Sequence, residues 1–345
     1  MQKPFFSIVI PAYNLENYIA AALQSVLVQT FQDFEIIIVD DGSSDETVSI
    51  IQSFHDPRIR LVSQVNGGVS RARNAGMKKA VGAYIAFLDG DDYWYPEHLE
   101  LAADFFNRHP EILAYANRYM RDELEAFPPR PPSYPESIRR LGIRGVLFMN
   151  SSSVILNSSL ASRLPPWEEA MPYGEDGLYW TRCMRGTGLI GLGGSVTSIY
   201  RQRASSAMHD EHYQHVSLHS LIAPLLNELE AMKNPKWQFA VHYLVIRELH
   251  PKRLLSLNAE ERISLTGRIR KIMHPCLNRP FLDSYMKACS ARAGMEQSFS
   301  ALMDRTMFSC KWLDRLERMG RSLFFRLQTN NGMESKHQDP VRSRS

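Results

Sequence analysis

Short apolar segments alternate with helical patterns through the first ninety residues of the chain. Four of these segments have the length and composition of buried strands: residues 5–11, 34–39, 59–62 and 84–88. The stretches between them carry apolar residues at helical spacing. Strands that alternate with helices in this way are typical of βαβ units, which build a parallel sheet. The sequence therefore predicts an α/β fold whose sheet is flanked by helices.

The fourth segment ends abruptly in Asp89-Gly90-Asp91-Asp92. Parallel sheets bind ligands at the carboxyl ends of their strands, so Asp89 and Asp91 are expected where a ligand binds. Two carboxylates this close repel each other unless a cation or a hydrogen-bonding ligand offsets their charge. Such oxygen ligands suit Mg²⁺ or Mn²⁺, which complete their shell with water and substrate phosphates. The alternative is a solvated acidic turn, because Asp and Gly are also common turn residues.

Four motifs follow one another along the chain: IVIPAYN, IIIVDDGSSDET, NGGVSRARNAG and FLDGDD. In this order they resemble the family 2 inverting glycosyltransferases with the GT-A fold, and the resemblance covers roughly residues 5–205. It implies a GT-A domain over residues 1–207. Residues 1–110 would bind a nucleotide-sugar, usually UDP-linked in such enzymes, and residues 111–207 would form the acceptor and catalytic half.

The resemblance also implies roles for residues that follow the first three strands. Pro11, Tyr13 and Asn14 would form the floor and wall of the nucleotide pocket. Asp40 would accept a hydrogen bond from the uracil ring, and Arg73 lies where relatives contact the nucleotide. These five residues are the candidate donor-binding side chains of the first half.

At the fourth strand, the resemblance assigns Asp89 to the ribose or the metal and Asp91 to the metal. The implied cofactor is a divalent cation, Mn²⁺ or Mg²⁺. Asp45 and Asn74 belong to the same motifs, but for them we expect local capping of the neighbouring helices.

Relatives place their catalytic base in a Glu-Asp pair, and the acceptor half offers Glu175 and Asp176 at the start of a predicted helix, where the helix dipole favours carboxylates. One carboxylate must take the proton from an acceptor hydroxyl as that hydroxyl attacks the anomeric carbon. A single displacement inverts the anomeric configuration. We assign Asp176 as the base and Glu175 to bonding the acceptor or orienting the site. Trp180, or Trp167 in the preceding loop, is expected either to stack on a sugar or to pack in the core.

One motif departs from the family pattern. After a strand over Val196–Ile199, many relatives read Tyr-Arg-x-His, whereas this chain reads Tyr200-Arg201-Gln202-Arg203. An arginine replaces a histidine that can help to bind the metal. Arg203 is therefore a candidate contact to the diphosphate, and His209 is a candidate substitute from the next turn.

Beyond the GT-A domain, residues 208–328 are predicted to form a mainly helical extension. Apolar residues recur at helical spacing in residues 219–232 and again in residues 237–249. Residues 329–345 are polar and are predicted to form a disordered tail.

Positive charge is concentrated at the C-terminal end. From Arg247 onward the chain has 19 Lys and Arg against 10 Asp and Glu, whereas residues 1–246 have 21 against 27. Residues 311–327 combine an apolar helical face with five flanking basic residues. This pattern is typical of an interfacial membrane helix, with a helix packed on the domain as the alternative. An anionic membrane surface is the expected partner. No nucleic-acid-binding motif accompanies the charge.

Composition is consistent with a soluble enzyme. With 345 residues, of which 44% are hydrophobic, the chain can bury a full core, and no apolar run reaches membrane-spanning length. The start Met1-Gln2-Lys3-Pro4 does not resemble a signal peptide, and the four cysteines lack metal-site spacing. We expect a cytoplasmic protein, peripheral at the inner face of the membrane. No sequence feature indicates an oligomeric state.

The sequence thus predicts a metal-dependent glycosyltransferase of the hexosyltransferase type, acting on a glycan or lipid-linked acceptor. A dinucleotide-binding dehydrogenase is excluded, because residues 11–14 replace the required G-x-G-x-x-G after the first strand. Two other classes stay open. One is a sugar nucleotidyltransferase on a similar sheet, although the glycine-rich, arginine-containing loop of that class is absent after the first strand. The other is a catalytically inactive scaffold that binds nucleotide.

Overall fold

The computed structural model describes residues 3–122, 133, 135–139, 149–171, 173–202, 218–231, 241, 244–245, 257 and 259–272. The elements of the first half are β1 (Phe6–Ala12), α1 (Ile19–Leu27), β2 (Phe34–Asp40), α2 (Thr47–Gln52), β3 (Ile59–Ser63), α3 (Val69–Lys79), β4 (Tyr84–Phe87), β5 (Tyr93–Trp94) and α4 (His98–Arg108). They are followed by β6 (Ala114–Asp122), β7 (Ser137–Arg139), a 3₁₀ turn (Ser151–Ser153), β8 (Val154–Asn157), α5 (Ser158–Ala161), α6 (Glu175–Thr187), β9 (Ile190–Arg201), α7 (Leu218–Ala231) and α8 (Ala259–Ile272).

The described strands form one mixed sheet in the order β3-β2-β1-β4-β8-β6-β9-β5, with β7 paired to β9. β3, β2, β1 and β4 are parallel to one another, which confirms the parallel sheet predicted for the first ninety residues. Beyond β4 the sheet becomes mixed, because β8 runs antiparallel to both β4 and β6. β9 is parallel to β6, and β5 pairs antiparallel with β9. The α/β fold class is therefore confirmed.

The apolar runs become strands because both faces of the sheet are covered. Every residue of β1 and β2 is buried, which suits their continuous apolar sequences. One core cluster packs α1 and α4 against one face, and it includes Phe6, Ile8 and Phe105. The sheet is therefore a rigid support for the residues that follow its strands.

The core on the other face extends into the C-terminal helices. Phe87 and Trp180 share one cluster with Ile222 of α7 and Ile269 of α8. The helix predicted over residues 219–232 is confirmed by α7, whereas most of residues 237–249 lie outside the described part of the chain. The domain limits at 207 and 328 stay predictions.

Among the described residues, no helix is both long enough and apolar enough to cross a bilayer. The candidate membrane helix at residues 311–327 and the tail at 329–345 lie outside those residues, as do Arg203 and His209.

Candidate active site

Asp40 and Tyr13 lie together at the edge where β1 and β2 end. Asp40 is the last residue of β2 and pairs in register with Ala12, so Tyr13 follows directly beside it. The Asp40 carboxylate is almost fully covered, and its Oδ1 accepts the backbone N–H of Ser43 at 2.9 Å. The Tyr13 side chain is 49% exposed. The edge therefore combines a buried acceptor with an aromatic ring that a planar base can contact. Pro11, in β1, is buried beneath it.

Asn14 connects this edge to the turn that follows β2. Its backbone is left-handed, with a φ of 50°, a conformation in which asparagine is enriched among non-glycine residues. Its N–H donates to Ser43 Oγ at 3.1 Å, and its Oδ1 accepts the N–H of Ser44 at 2.9 Å. Asn14 thus fixes the 43–44 turn against the end of β1.

Asp41 is a structural residue that the sequence did not single out. Its buried carboxylate accepts the side-chain amide of Gln64 at 2.7 Å and the N–H groups of Gly67 and Gly68 at 3.0 and 2.7 Å. These bonds fix the glycine turn that begins α3, where Gly68 has a φ of 87°. The only sequence signal was a second acid in the Asp40-Asp41-Gly42 run.

The acidic turn after β4 lies directly against β1. A Cβ atom on Gly90 would stand 2.7 Å from Leu15 Cδ1 and 3.0 Å from the Pro11 carbonyl oxygen. Glycine therefore allows this approach without displacing either neighbour. Asp89 and Asp91, on either side of Gly90, are both partly exposed. The turn places two partly exposed carboxylates beside the end of β1, and their binding of a ligand stays a prediction.

Asp92 of the same turn has a different role, because it is buried. It accepts Ser152 Oγ–H at 2.6 Å and the backbone N–H of Arg201 at 2.9 Å. Ser152 Oγ in turn accepts the N–H of Asp89 at 3.0 Å. Burial, and then the charges of Asp91 and Asp89, raise the pKa of Asp92 well above its usual range. Asp92 therefore anchors the acidic turn to β9 and to the 3₁₀ turn before β8.

Arg73 joins the acidic turn after β4 to the start of α6. Its Nη2 bonds Asp89 Oδ1 at 2.6 Å and its Nη1 bonds Glu175 Oε1 at 2.9 Å. The guanidinium carbon lies 4.5 Å from the centre of the Trp167 ring, and the side chain is only 4% exposed. The predicted contact of Arg73 with the nucleotide is untested, and here the side chain neutralises two carboxylates that are far apart in sequence.

Glu175 and Asp176 begin α6, as predicted, directly after Gly174 in a left-handed conformation. Burial, together with the neighbouring Asp176 charge, raises the pKa of Glu175 to about 7 against the opposing charge of Arg73. Asp176 is more exposed than Glu175, and its Oδ1 accepts the N–H of Gly177 at 2.6 Å. The two acids therefore differ in access to a substrate.

The local capping predicted for Asn74 is wrong. Its Nδ2 donates to the Trp167 carbonyl at 3.0 Å and to Glu169 Oε1 at 2.8 Å, and its Oδ1 accepts the N–H of Trp167 at 2.9 Å. Asn74 is buried because it faces the loop before α6 rather than its own helix. Asp45 accepts a local N–H from Thr47, as expected, and also the N–H of Glu16, both at 3.0 Å.

Trp180 belongs to the core. It is fully buried and packs edge to face against Trp167, with ring centres 5.3 Å apart. Of the two roles considered for Trp180, core packing is the one found, since a covered ring offers no face to a sugar. Trp167 stacks on Tyr179 at 4.0 Å and supports Arg73 from below.

The fit of a divalent metal rests on the acidic turn. Within the described part of the chain, no three His, Cys, Asp or Glu side chains form a complete metal site. Asp89 and Asp91 supply two partly exposed carboxylates, a donor set that suits Mg²⁺ or Mn²⁺ when substrate phosphates and water complete the shell. One oxygen of Asp89 already bonds Arg73, so a cation at this turn would contact the other oxygen of Asp89.

Comparisons with known proteins agree with this arrangement. Residues 7–161 match the family described as Glycosyl transferase family 2. The chain is 49% identical over 92 residues to the uncharacterized glycosyltransferase EpsJ of Bacillus subtilis (strain 168), which covers 26% of this chain and 27% of that relative. Matches to two Rickettsia glycosyltransferases span 19% and 20% of their lengths. The chain thus spans about a quarter or less of these curated relatives.

Two solved structures share the fold. S. aureus TarS 1-349 in complex with UDP-GlcNAc has a TM-score of 0.64 at 20% identity, covering 89% of this chain and 92% of that one. The mannosyltransferase PcManGT from Pyrobaculum calidifontis, in complex with GDP-Man and Mn²⁺, has a TM-score of 0.54 at 15% identity, covering 90% and 88%. Residues 7–161 of this chain thus match glycosyl transferase family 2, and the chain shares the fold of these two structures, the GT-A fold that its four ordered motifs imply.

Proposed function

We propose that this protein transfers a sugar from a UDP-linked donor to a hydroxyl of a glycan or lipid-linked acceptor, with inversion at the anomeric carbon. The observation that carries the proposal is the Arg73 bridge, which joins Asp89 at the donor edge to Glu175 at the start of α6. The proposed donor-binding residue Asp89 and the proposed acid–base residue Glu175 thereby lie on the same wall of the site. Single displacement requires this arrangement, because donor and acceptor must meet with their reacting atoms in contact.

UDP is the donor nucleotide that the site supports best. Asp40 can only accept hydrogen bonds when ionised, and one of its oxygens already accepts the Ser43 N–H. The remaining capacity suits a ring N–H such as the one uracil carries. The S. aureus TarS structure is a complex with UDP-GlcNAc, whereas the PcManGT structure is a complex with GDP-Man. The higher structural similarity to TarS favours UDP.

Asp176 is the better general base of the acidic pair. A base must reach the acceptor hydroxyl and must be ionised before the proton moves. Glu175 is buried, its Oε1 is occupied by Arg73, and its pKa is raised to about 7 by burial and by the charge of Asp176. Asp176 is partly exposed at the positive end of α6, where a carboxylate is favoured. Of the two roles considered for Glu175, orienting the site suits its buried bond to Arg73 better than bonding the acceptor.

A divalent metal at the acidic turn would neutralise the charge that develops on the leaving diphosphate. Asp91 and the free oxygen of Asp89 would hold it. This part of the proposal is supported by the paired carboxylates and by the Mn²⁺ in the PcManGT complex.

Residues 311–327 are proposed to bring the enzyme to an anionic membrane surface, where a lipid-linked acceptor would be found. Each basic residue near such a surface contributes about 1 kcal/mol. Deletion from Lys311 onward should release the protein from anionic liposomes in a sedimentation assay, while UDP binding persists. Indifference of the intact protein to anionic vesicles at low salt would refute the membrane role, as would unfolding of the truncated protein.

The transfer function is tested by donor turnover. Wild-type protein with Mn²⁺ should be stabilised by UDP in a thermal shift assay but not by NAD or ATP. A panel of nucleotide-sugars should then reveal slow donor hydrolysis that releases a nucleoside diphosphate. Release of pyrophosphate from a sugar phosphate and a nucleoside triphosphate would instead indicate a nucleotidyltransferase. UDP binding without turnover of any donor would indicate a scaffold.

A further inference from the structure

The side chain of Arg201, the last residue of β9, is fixed at the acidic turn by its surroundings. Its backbone N–H donates to the buried Asp92 carboxylate at 2.9 Å. Its guanidinium carbon lies 5.3 Å from the centre of the Tyr18 ring and 5.1 Å from that of the Tyr93 ring. Tyr18 immediately precedes α1, and Tyr93 immediately follows Asp92. The cation therefore stands between the start of α1 and the acidic turn.

The guanidinium of Arg201 is positioned without a hydrogen-bond acceptor in the described part of the chain. Its Nε is buried and unpaired, and the contacts of the group are the faces of the two tyrosine rings. Arg73 also has a buried, unpaired Nε, but both of its Nη atoms bond carboxylates. Where no described residue accepts from a partly desolvated cation, its exposure to so few acceptors is costly unless a ligand supplies one. An anion is the ligand class that removes this cost.

We propose that Arg201 is a binding residue for the diphosphate of the donor, an inference that rests on the proposed function. A diphosphate held at the acidic turn would be near Arg201, because the backbone of Arg201 is anchored to that turn through Asp92. The planar guanidinium can bond two phosphate oxygens at once. The tyrosine rings keep the group in place before the donor arrives, so little side-chain freedom is lost on binding. Arg201 then supplies positive charge to this motif.

The same chemistry could bind the phosphate of a lipid-linked acceptor, so the test must separate the two sources. Calorimetric titration of Arg201→Gln with UDP, UMP and uridine in Mn²⁺ isolates the outer phosphate of the donor. Farnesyl phosphate serves as the phosphate-bearing lipid. Arg139→Gln, which removes an exposed arginine from β7, is the matched charge control.

Two charge-assisted bonds to the diphosphate predict a UDP dissociation constant roughly tenfold to a hundredfold higher in Arg201→Gln. Uridine should bind both proteins alike, UMP should change less than UDP, and Arg139→Gln should match wild type. Unchanged UDP affinity would overturn the inference. So would an equal loss for UDP, UMP and uridine, which would indicate only packing of the rings. Loss of farnesyl phosphate binding alone would assign Arg201 to the acceptor and also overturn it.

If Arg201→Gln does not fold, Arg201→Lys tests the proposal instead. Its ammonium group retains the charge but cannot make the bidentate contact with two phosphate oxygens. UDP should then bind more weakly than to wild type, with uridine unchanged, and wild-type affinity for UDP would overturn the proposal. Failure of the wild-type protein to bind UDP at all would refute the proposed function instead. Retention of UDP binding and donor hydrolysis by Arg201→Gln would refute only the role of Arg201.

Discussion

Removal of the Arg73 guanidinium should be among the most damaging single changes in this protein. Arg73→Met keeps most of the apolar stem of the side chain but leaves the Asp89 and Glu175 carboxylates without their shared cation. Breaking a buried pair by deleting one partner typically costs about 3–5 kcal/mol of unfolding free energy. The lost contact with the Trp167 ring adds roughly 0.5–2 kcal/mol.

Two features reduce that cost. The Asp89 side chain is 24% exposed, so water can solvate part of its charge. Glu175 can also take up a proton, since burial and Asp176 already raise its pKa to about 7. We therefore expect a loss near the lower limit, about 3 kcal/mol. For a domain of this size, that corresponds to a fall in Tm of roughly 6–12 °C.

Urea unfolding followed by tryptophan fluorescence measures this loss at pH 7. Arg60→Met is the matched control, because Arg60 also bonds a carboxylate, that of Glu35 at 3.0 Å, but is 47% exposed. An exposed pair of that kind is worth about 0–1 kcal/mol. If Arg73→Met destabilises the protein no more than Arg60→Met, the bridge is not a buried ion pair, and the reasoning from it to a shared wall fails.

Three further changes test the acidic residues. Asp91→Ala should reduce sugar transfer about a hundredfold or more without unfolding the protein, because the diphosphate loses its metal; near-normal activity, or full wild-type activity in excess EDTA, would refute this. Asp176→Asn should reduce transfer roughly 10²–10⁴-fold and leave UDP binding intact; greater damage from Glu175→Gln would reverse the two roles. Glu175→Gln should flatten the pH dependence of stability. Folding raises the pKa of the Glu175 carboxyl to about 7. Its contribution to stability is therefore complete when the pH is below the pKa of the unfolded state, and it is lost as the pH rises through 7. If the urea midpoints of wild type and Glu175→Gln fall equally between pH 5 and 8, this prediction is contradicted.

The edge of the sheet at which β1, β2 and β4 end could be predicted, because the sequence patterns that determine it lie within short segments of the chain. Each of the four strands is a short apolar run, and β1, β2 and β4 run directly into polar residues of the candidate site. Once the strands are known to be parallel, their carboxyl ends must meet at one edge. This places Asp40 and Asp89 on the same side of the sheet without any knowledge of side-chain contacts.

The connections across the site could not be predicted, because they join distant parts of the chain. Arg73 and Glu175 are 102 residues apart, and Asn74 and Trp167 are 93 residues apart. Nothing in the sequence near Asn74 distinguishes a helix cap from a bond to a loop in the other half. Likewise, the periodicity around Trp180 is the same whether its ring faces the core or a substrate. The order of the strands beyond β4 determines both what Asn74 bonds and where the Trp180 ring lies.

The change of strand direction at β4 explains how two halves form one site. β4 is parallel to β1 and antiparallel to β8, with Ala86 paired to Ile155. The end of β4 therefore lies beside the start of β8, and the acidic turn meets the 3₁₀ turn that contains Ser152. The bonds of Ser152 with the N–H of Asp89 and with Asp92 follow from this register. Had β8 been parallel, its start would lie at the opposite edge, and the donor carboxylates would have lost their support from the acceptor half. The mixed sheet is thus the feature that fixes the proposed donor-binding carboxylates against the 3₁₀ turn before β8.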